Sequence, residues 1–431
     1  MSEDHSRPAS ADVSADPVLS VTIDERAPAL DRERPVPVAA PIGLLVLVST
    51  VQPTALNMHM PALARMQEDL ATSTSAIQLT LSAYLAATAV GQIVVGPVSD
   101  IYGRRPVLLA GLMVFLIGTL ICALAPTVDV LVAGRIVQAF GGCTGLVLSR
   151  AIVRDTHGSA SAASMIGYVT MGMAIAPMMT PALGGVISEA TSWRLVFAAM
   201  GLLGLAGLVL TAIRLKETHP ATGTTHAFAR FVREVGELAH VPAFWLFALT
   251  LCFLSVSFFA FVAGAVFVSQ SVYGLSPAGY GLYFMFLPVG YIIGNFVTGR
   301  FGQRFGIIPL IVVGNILSLL GTIVSAVGAL LLIHHPAALF APMLLVAVGN
   351  GLSLPNALAG SVSVEPRLAG TASGFAGALQ VGGGAVASVL VGLLSDAGIW
   401  PDSAWPVLMP MLVCGVVAVG LSFTLRPQMM R

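Results

Sequence analysis

The chain has 431 residues, 56% of them hydrophobic and only 9% charged, with a mean hydropathy of +0.91. That much apolar surface does not fit inside a water-soluble core, so the chain is expected to lie in membrane lipid. Its 20 basic and 20 acidic residues cancel and form no concentrated basic patch, which excludes a nucleic-acid partner.

Residues 1–37 mix Asp, Glu, Ser, Pro and Arg without an apolar period or a signal-peptide pattern, and are expected to form a disordered cytoplasmic tail. Apolar stretches long enough to cross roughly 30 Å of hydrocarbon as helices follow at 38–58, 79–99, 106–125, 129–149, 163–187, 195–213, 244–271, 280–299, 308–333, 338–361, 370–394 and 404–425. They predict an all-α membrane protein with twelve transmembrane helices. Polar residues between Arg214 and Ala243 divide the chain into an N-terminal six-helix bundle (38–215), a cytoplasmic linker (216–243), a C-terminal six-helix bundle (244–426) and a short tail (427–431). Phe228 to Leu238 is expected to form a surface helix along the membrane.

Charge placement predicts orientation. Arg104, Arg105, Arg154, Arg214, Lys216, Arg230, Arg233, Arg300, Arg304, Arg367, Arg426 and Arg431 share one side if the N-terminus is cytoplasmic, while Arg65 and Arg194 lie opposite. Both termini are therefore expected in the cytoplasm. A duplication is visible as well, because Gly91, Gln92, Gly96 and Gly103 recur at one constant offset as Gly294, Asn295, Gly299 and Gly306. It predicts two pseudo-symmetric halves. The four cysteines, Cys122, Cys143, Cys252 and Cys414, lack the spacing of a metal site or disulfide framework, so no metal or cofactor is expected.

Several motifs carry a family resemblance. Gly96-Pro97-Val98-Ser99-Asp100-Ile101-Tyr102-Gly103-Arg104-Arg105 resembles the signature between the second and third spans of the major facilitator superfamily, and Arg135 to Gly141 looks like its fourth-span motif. Arg150 to Asp155 resembles a run of the Bcr/CflA drug-resistance transporters. Ala176 to Gly185 is similar to the fifth-span motif of proton-antiporting exporters, and Leu215-Lys216-Glu217-Thr218 resembles the close of the sixth span. The second half matches less, through Arg300 to Gly306, Gly349, Gly351, Pro355, Asn356 and Ala369 to Ser373.

The resemblance implies a monomeric, multi-pass transporter of the bacterial inner membrane that exports phenicol- or bicyclomycin-like amphiphiles by alternating access and proton antiport. Its partners would be the small-molecule substrate, protons and membrane lipid. Gly96, Asp100, Gly103, Arg104, Arg105, Arg154, Asp155, Arg300 and Arg304 are the expected conformational latch, with Gly172, Pro177, Pro181, Gly184 and Gly185 as hinge and packing positions. The helix beginning near Gly370 is an expected partner of Asp100. Gln52, Asn57, Tyr84, Arg135, Gln138, Tyr168, Met171, Phe258, Phe261 and Asn295 are the expected cavity residues. Asn350, Asn356 and Gln380 are further uncharged candidates.

One departure matters. In Pro53-Thr54-Ala55-Leu56-Asn57-Met58-His59-Met60-Pro61, Asn57 stands where the Bcr/CflA pattern has an acid and His59 where it has a tyrosine. All acids after the tail fall at span ends or in loops, which leaves His59, with Arg135, as the proton-coupling candidates. A cavity without a carboxylate favours neutral or anionic ligands over permanent cations. The alternative is an uncoupled uniporter or importer of a small metabolite. An enzyme is disfavoured, since no HExxH, paired acids or nucleophile with a base occurs within the spans.

Overall fold

A computed structural model describes residues 41–156, 165, 169, 177, 179–219, 226–331, 333–400 and 403–426. The expected tail and the cavity and hinge candidates Tyr168, Met171 and Gly172 lie outside the described residues.

The N-terminal half contains α1 (Ile42–Asn57), α2 (Leu63–Asp69), α3 (Thr74–Tyr102), α4 (Arg104–Leu124), α5 (Val128–Thr156), α6 (179–190) and α7 (Trp193–Arg214). The linker carries α8 (His226–Ala239). The C-terminal half contains α9 (Pro242–Ser271), α10 (Pro277–Phe284), α11 (Phe286–Phe305), α12 (Ile307–Leu330), α13 (Ala337–Phe340), α14 (Met343–Ser363), α15 (Ala369–Asp396) and α16 (Trp405–Thr424). Among the described residues, 11 helical units are long and apolar enough to span a membrane; α6 is the described end of the predicted fifth span.

Proline accounts for most differences from the expected spans. The first span does not stop near residue 58: after α1 it passes through a 3₁₀ turn at Met60–Ala62 into α2. Pro61 lacks the N–H that would continue the helical ladder. The eighth span is broken between α10 and α11, where Pro288 lacks the N–H that would reach the carbonyl of Phe284. Pro342 has the same effect between α13 and α14.

Glycine sets how closely the helices pack. A Cβ at Gly141 would overlap the backbone of Phe115, and one at Gly118 would overlap the backbone of Gln138, so α4 and α5 meet backbone to backbone. In the other half, Gly294, Gly314, Gly349 and Gly351 bring α11 and α12 against α14 in the same way.

The halves meet along α3 and α15, and where the extension of α1 touches α9 and α10. Ser75 N–H donates to Asp396 Oδ2 (2.9 Å) and Ala278 N–H to Glu189 Oε2 (3.1 Å). Gln270 Nε2 donates to Pro61 O (3.3 Å), Gln78 Nε2 to Ala263 O (3.5 Å) and Ser388 Oγ to Gln78 O (3.2 Å). Each of these contacts lies toward the end of the bundle remote from Arg104, called here the far end.

Candidate functional site

The expected cavity residues separate into two groups. The first is a polar cluster buried within the N-terminal half around Arg135, which is 0% exposed. Because α1 ends at Asn57, the carbonyl of Ala55 belongs to its last turn and needs a partner from outside the helix. Arg135 Nη1 donates to it at 2.9 Å, and His59 Nδ1 lies 3.1 Å from the same oxygen. A carbonyl only accepts, so the His59 proton sits on Nδ1, leaving Nε2 to accept from Arg135 Nη2 at 3.5 Å.

Arg135 has further partners. Nε donates to Thr80 O (3.3 Å) and Nη1 to Gln138 Oε1 (2.5 Å), while the guanidinium lies 4.0 Å from the Tyr84 ring centroid. Gln138 Nε2 in turn donates to Thr119 Oγ1 (2.8 Å), and Tyr84 Oη donates to Gln52 O (3.2 Å). A buried arginine is tolerated in this apolar setting because carbonyls, an amide, an imidazole and a π face satisfy it together.

The second group lines a cavity of about 220 Å³ between the halves. Asn57 and Pro177 contribute from the N-terminal half; Ser255, Phe258, Phe259, Phe284, Tyr291, Asn350 and Gln380 are among those from the other. Among the described residues, none that lines it is charged. Asn57 turns its amide inward, with Nδ2 donating to Pro53 O (2.7 Å), and Phe258 meets Phe259 edge-on at 5.4 Å.

Two further candidates sit elsewhere. Phe261 packs on Phe340 (5.7 Å between centroids), and Asn295 donates to Tyr291 O (2.8 Å) beside the contact of α11 with α14. Among the hinge candidates, Gly184 approaches the Met58 carbonyl and Gly185 the Pro277 carbonyl so closely that a Cβ would overlap either. Pro181 and Ala182 receive Gly281 of α10.

The latch candidates of the first half converge. Arg104, on the first turn of α4, reaches Asp100 Oδ1 at 2.5 Å and Asp155 Oδ2 at 2.9 Å, and also hydrogen-bonds Ser99 Oγ. Gly103 has φ of +95°, a backbone state that the Asp100-to-Arg104 turn requires and side chains resist. Arg105 Nη2 donates to Ala212 O (2.9 Å).

Glu217 completes the arrangement. Its Oε1 accepts the Arg104 N–H (2.9 Å) and its Oε2 the Arg105 N–H (3.1 Å), so the close of the sixth span caps α4. The sequence marked Glu217 within a motif but gave no sign of this cap, which joins segments more than a hundred residues apart.

Arg154 is exposed near this cluster. The second-half candidates behave differently: Arg300 and Arg304 are exposed and lie over their own neighbours, 5.8 Å from the Phe301 ring and 5.7 Å from the Phe305 ring. Gly96 and Gly370 have open space around their Cβ positions. Thr371, at the start of α15, donates to Glu234 of the linker helix.

Residues 45–388 match the family profile described as Major Facilitator Superfamily. The chain belongs to the major facilitator superfamily. An uncharacterised MFS-type transporter of Bacillus subtilis is 33% identical over 81% of this chain and 88% of its own length. A chloramphenicol resistance protein of Pseudomonas aeruginosa is 28% identical over 90% of this chain and 91% of its own. The drug-resistance names among the relatives agree with the Bcr/CflA resemblance in the motifs.

The major facilitator fold is visible in the coordinates too. A crystal structure of a D-xylose-proton symporter superposes with a TM-score of 0.73 at 15% identity, covering 90% of this chain and 98% of that one. Both comparisons span the two halves, so the family assignment covers the bundles and the seam where the cavity lies.

Proposed function

We propose that this major facilitator protein exports small, uncharged amphiphiles across the bacterial inner membrane by alternating access, with both termini in the cytoplasm. The uncharged, aromatic cavity between the halves carries the reading. Both halves line it, so a rocking motion changes its access, and its walls suit phenicol- or bicyclomycin-like molecules better than permanent cations. The resistance names of the relatives support the same class.

Proton antiport is the proposed drive, with His59 and Arg135 as the coupled pair because they touch at the base of α1. A second reading, uncoupled uniport of a small metabolite, is favoured by one observation: Asn57 lines the cavity where the resembling pattern has an acid. A susceptibility panel in a pump-deleted host, run with and without a protonophore, tests the proposal. Resistance to neutral antibiotics that the protonophore abolishes is the expected result. Everted vesicles separate the coupled and uncoupled readings: His59→Gln should abolish the response to a pH gradient, and an unchanged response would remove His59 from the coupling step.

A further inference from the structure

Three asparagines of the described spans turn their amides back onto their own helix, and Asn350 does not. Asn57, Asn295 and Asn356 each donate Nδ2 to the carbonyl four residues earlier, at Pro53 (2.7 Å), Tyr291 (2.8 Å) and Leu352 (2.6 Å). Asn350 is 2% exposed, yet neither its Nδ2 nor its Oδ1 has a hydrogen-bond partner. Leaving both ends of a buried amide unpaired is unfavourable, and native proteins rarely accept it without a reason.

The surroundings of Asn350 supply the reason. Gly349 and Gly351 press α14 onto α12 and α11, which directs the intervening residue toward the remaining side, where the cavity is. Ser255 of α9 lines the same cavity, and its Oγ is also buried without a partner. Phe258, Phe259, Phe284 and Tyr291 surround these two polar groups with aromatic surface.

We infer that Asn350 is the polar anchor for the ligand of this cavity, and that it selects uncharged molecules presenting a carbonyl and an N–H side by side, as a lactam does. A primary amide offers its own carbonyl and N–H in that arrangement, so the two pair reciprocally through two hydrogen bonds. Ser255 supplies a further hydroxyl contact, and the aromatic walls take the body of the ligand. A charged ligand finds no counter-ion among the described lining residues. The inference rests on the reading of this cavity as the transport site.

The test uses the full-length chain in lipid nanodiscs and two probes, a phenyl-substituted pyrrolidinone and its N-methyl derivative, titrated by ligand-observed NMR. Methylation removes the N–H and leaves the amide oxygen of Asn350 unpaired, so the wild-type protein should bind the parent lactam about tenfold more tightly. In Asn350→Leu the ratio should fall to about one, with the apo melting temperature unchanged or raised. Asn350→Ala gives the same loss of preference should leucine disturb the helix packing.

A wild-type protein that binds neither probe, or does not distinguish them, would overturn the assignment. So would a preserved tenfold preference in both variants. The drug panel fails independently: lost lactam preference in Asn350→Leu without any efflux would remove the export reading and leave the binding assignment standing.

Discussion

The two ends of the bundle are held by different chemistry. At the arginine-rich end, Asp100, Arg104 and Asp155 bind one another within the N-terminal half, and Glu217 at the start of the linker caps α4. At the far end, carboxylates join one half to the other: Asp396 of α15 caps the start of α3, and Glu189 of α6 caps the start of α10. The far-end contacts also obey the duplication. The offset carrying Gly91 to Gly294 carries Ser75 to Ala278, and it carries Ser73 to Ser276, each of which caps its own helix through its hydroxyl.

Under the proposed alternating access, the difference tells which contacts have to change as the halves rock. A cluster internal to one half travels with that half as a rigid unit, whereas a carboxylate bridging the halves must release. The arginine-rich end is also asymmetric, since Gln303 occupies the repeat position of Asp100 and Arg300 and Arg304 rest on neighbouring phenylalanines. The duplication therefore persists where the halves meet and has faded where one half organises itself.

The largest effect should come from Arg104→Ala, which removes the ion pairs to Asp100 and Asp155. Losing charge-assisted contacts in this partly buried setting costs about 2 kcal/mol or more. Transport in everted vesicles should fall at least tenfold while membrane insertion, read by immunoblot, stays normal; normal transport would show that the cluster does not support the transport cycle. Gly103→Ala comes next. Its positive φ and the Glu217 carboxylate beside it put the expected loss of stability at about 1–3 kcal/mol, measurable as a lower melting temperature in detergent.

The double variant Glu189→Gln/Asp396→Asn tests the far end. Each exposed carboxylate at a helix N-terminus contributes about 0.3–1 kcal/mol, so together they should shift the balance toward far-end opening by roughly three- to thirtyfold. Nitroxides at Thr191 and Ser271 should report a longer-distance population. An unchanged distribution would mean that these carboxylates do not gate. Arg300→Ala should change transport less than twofold, because the exposed side chain only lies over Phe301. A loss as large as that of Arg104→Ala would abolish the asymmetry.

Much of this was legible in the chain, for reasons that differ by residue. Asp100, Arg104 and Asp155 stood out because charge is rare here and two of them share a turn; the structure joins all three. The Arg135 motif pointed to a functional cluster, yet its position inside one half, apart from the inter-half cavity, was hidden. Gln52, Tyr84 and Gln138 fell with Arg135, and Asn57 and Phe258 fell in the cavity. Phe261 and Asn295 turned to helix contacts, because which way a residue faces on an all-apolar helix leaves no periodic trace. Glu217 was invisible as a cap for a similar reason, since its partners lie far away in sequence.

Composition by itself determined that this chain folds as lipid-spanning helices, since hydrocarbon offers no partner for backbone polar groups, and the repeat determined that it does so twice. Where proline breaks a span, which carboxylate reaches which helix start, and which amide is left without a partner were decided only in three dimensions. Those outcomes depend on distances between helices, and a linear order of residues does not contain them.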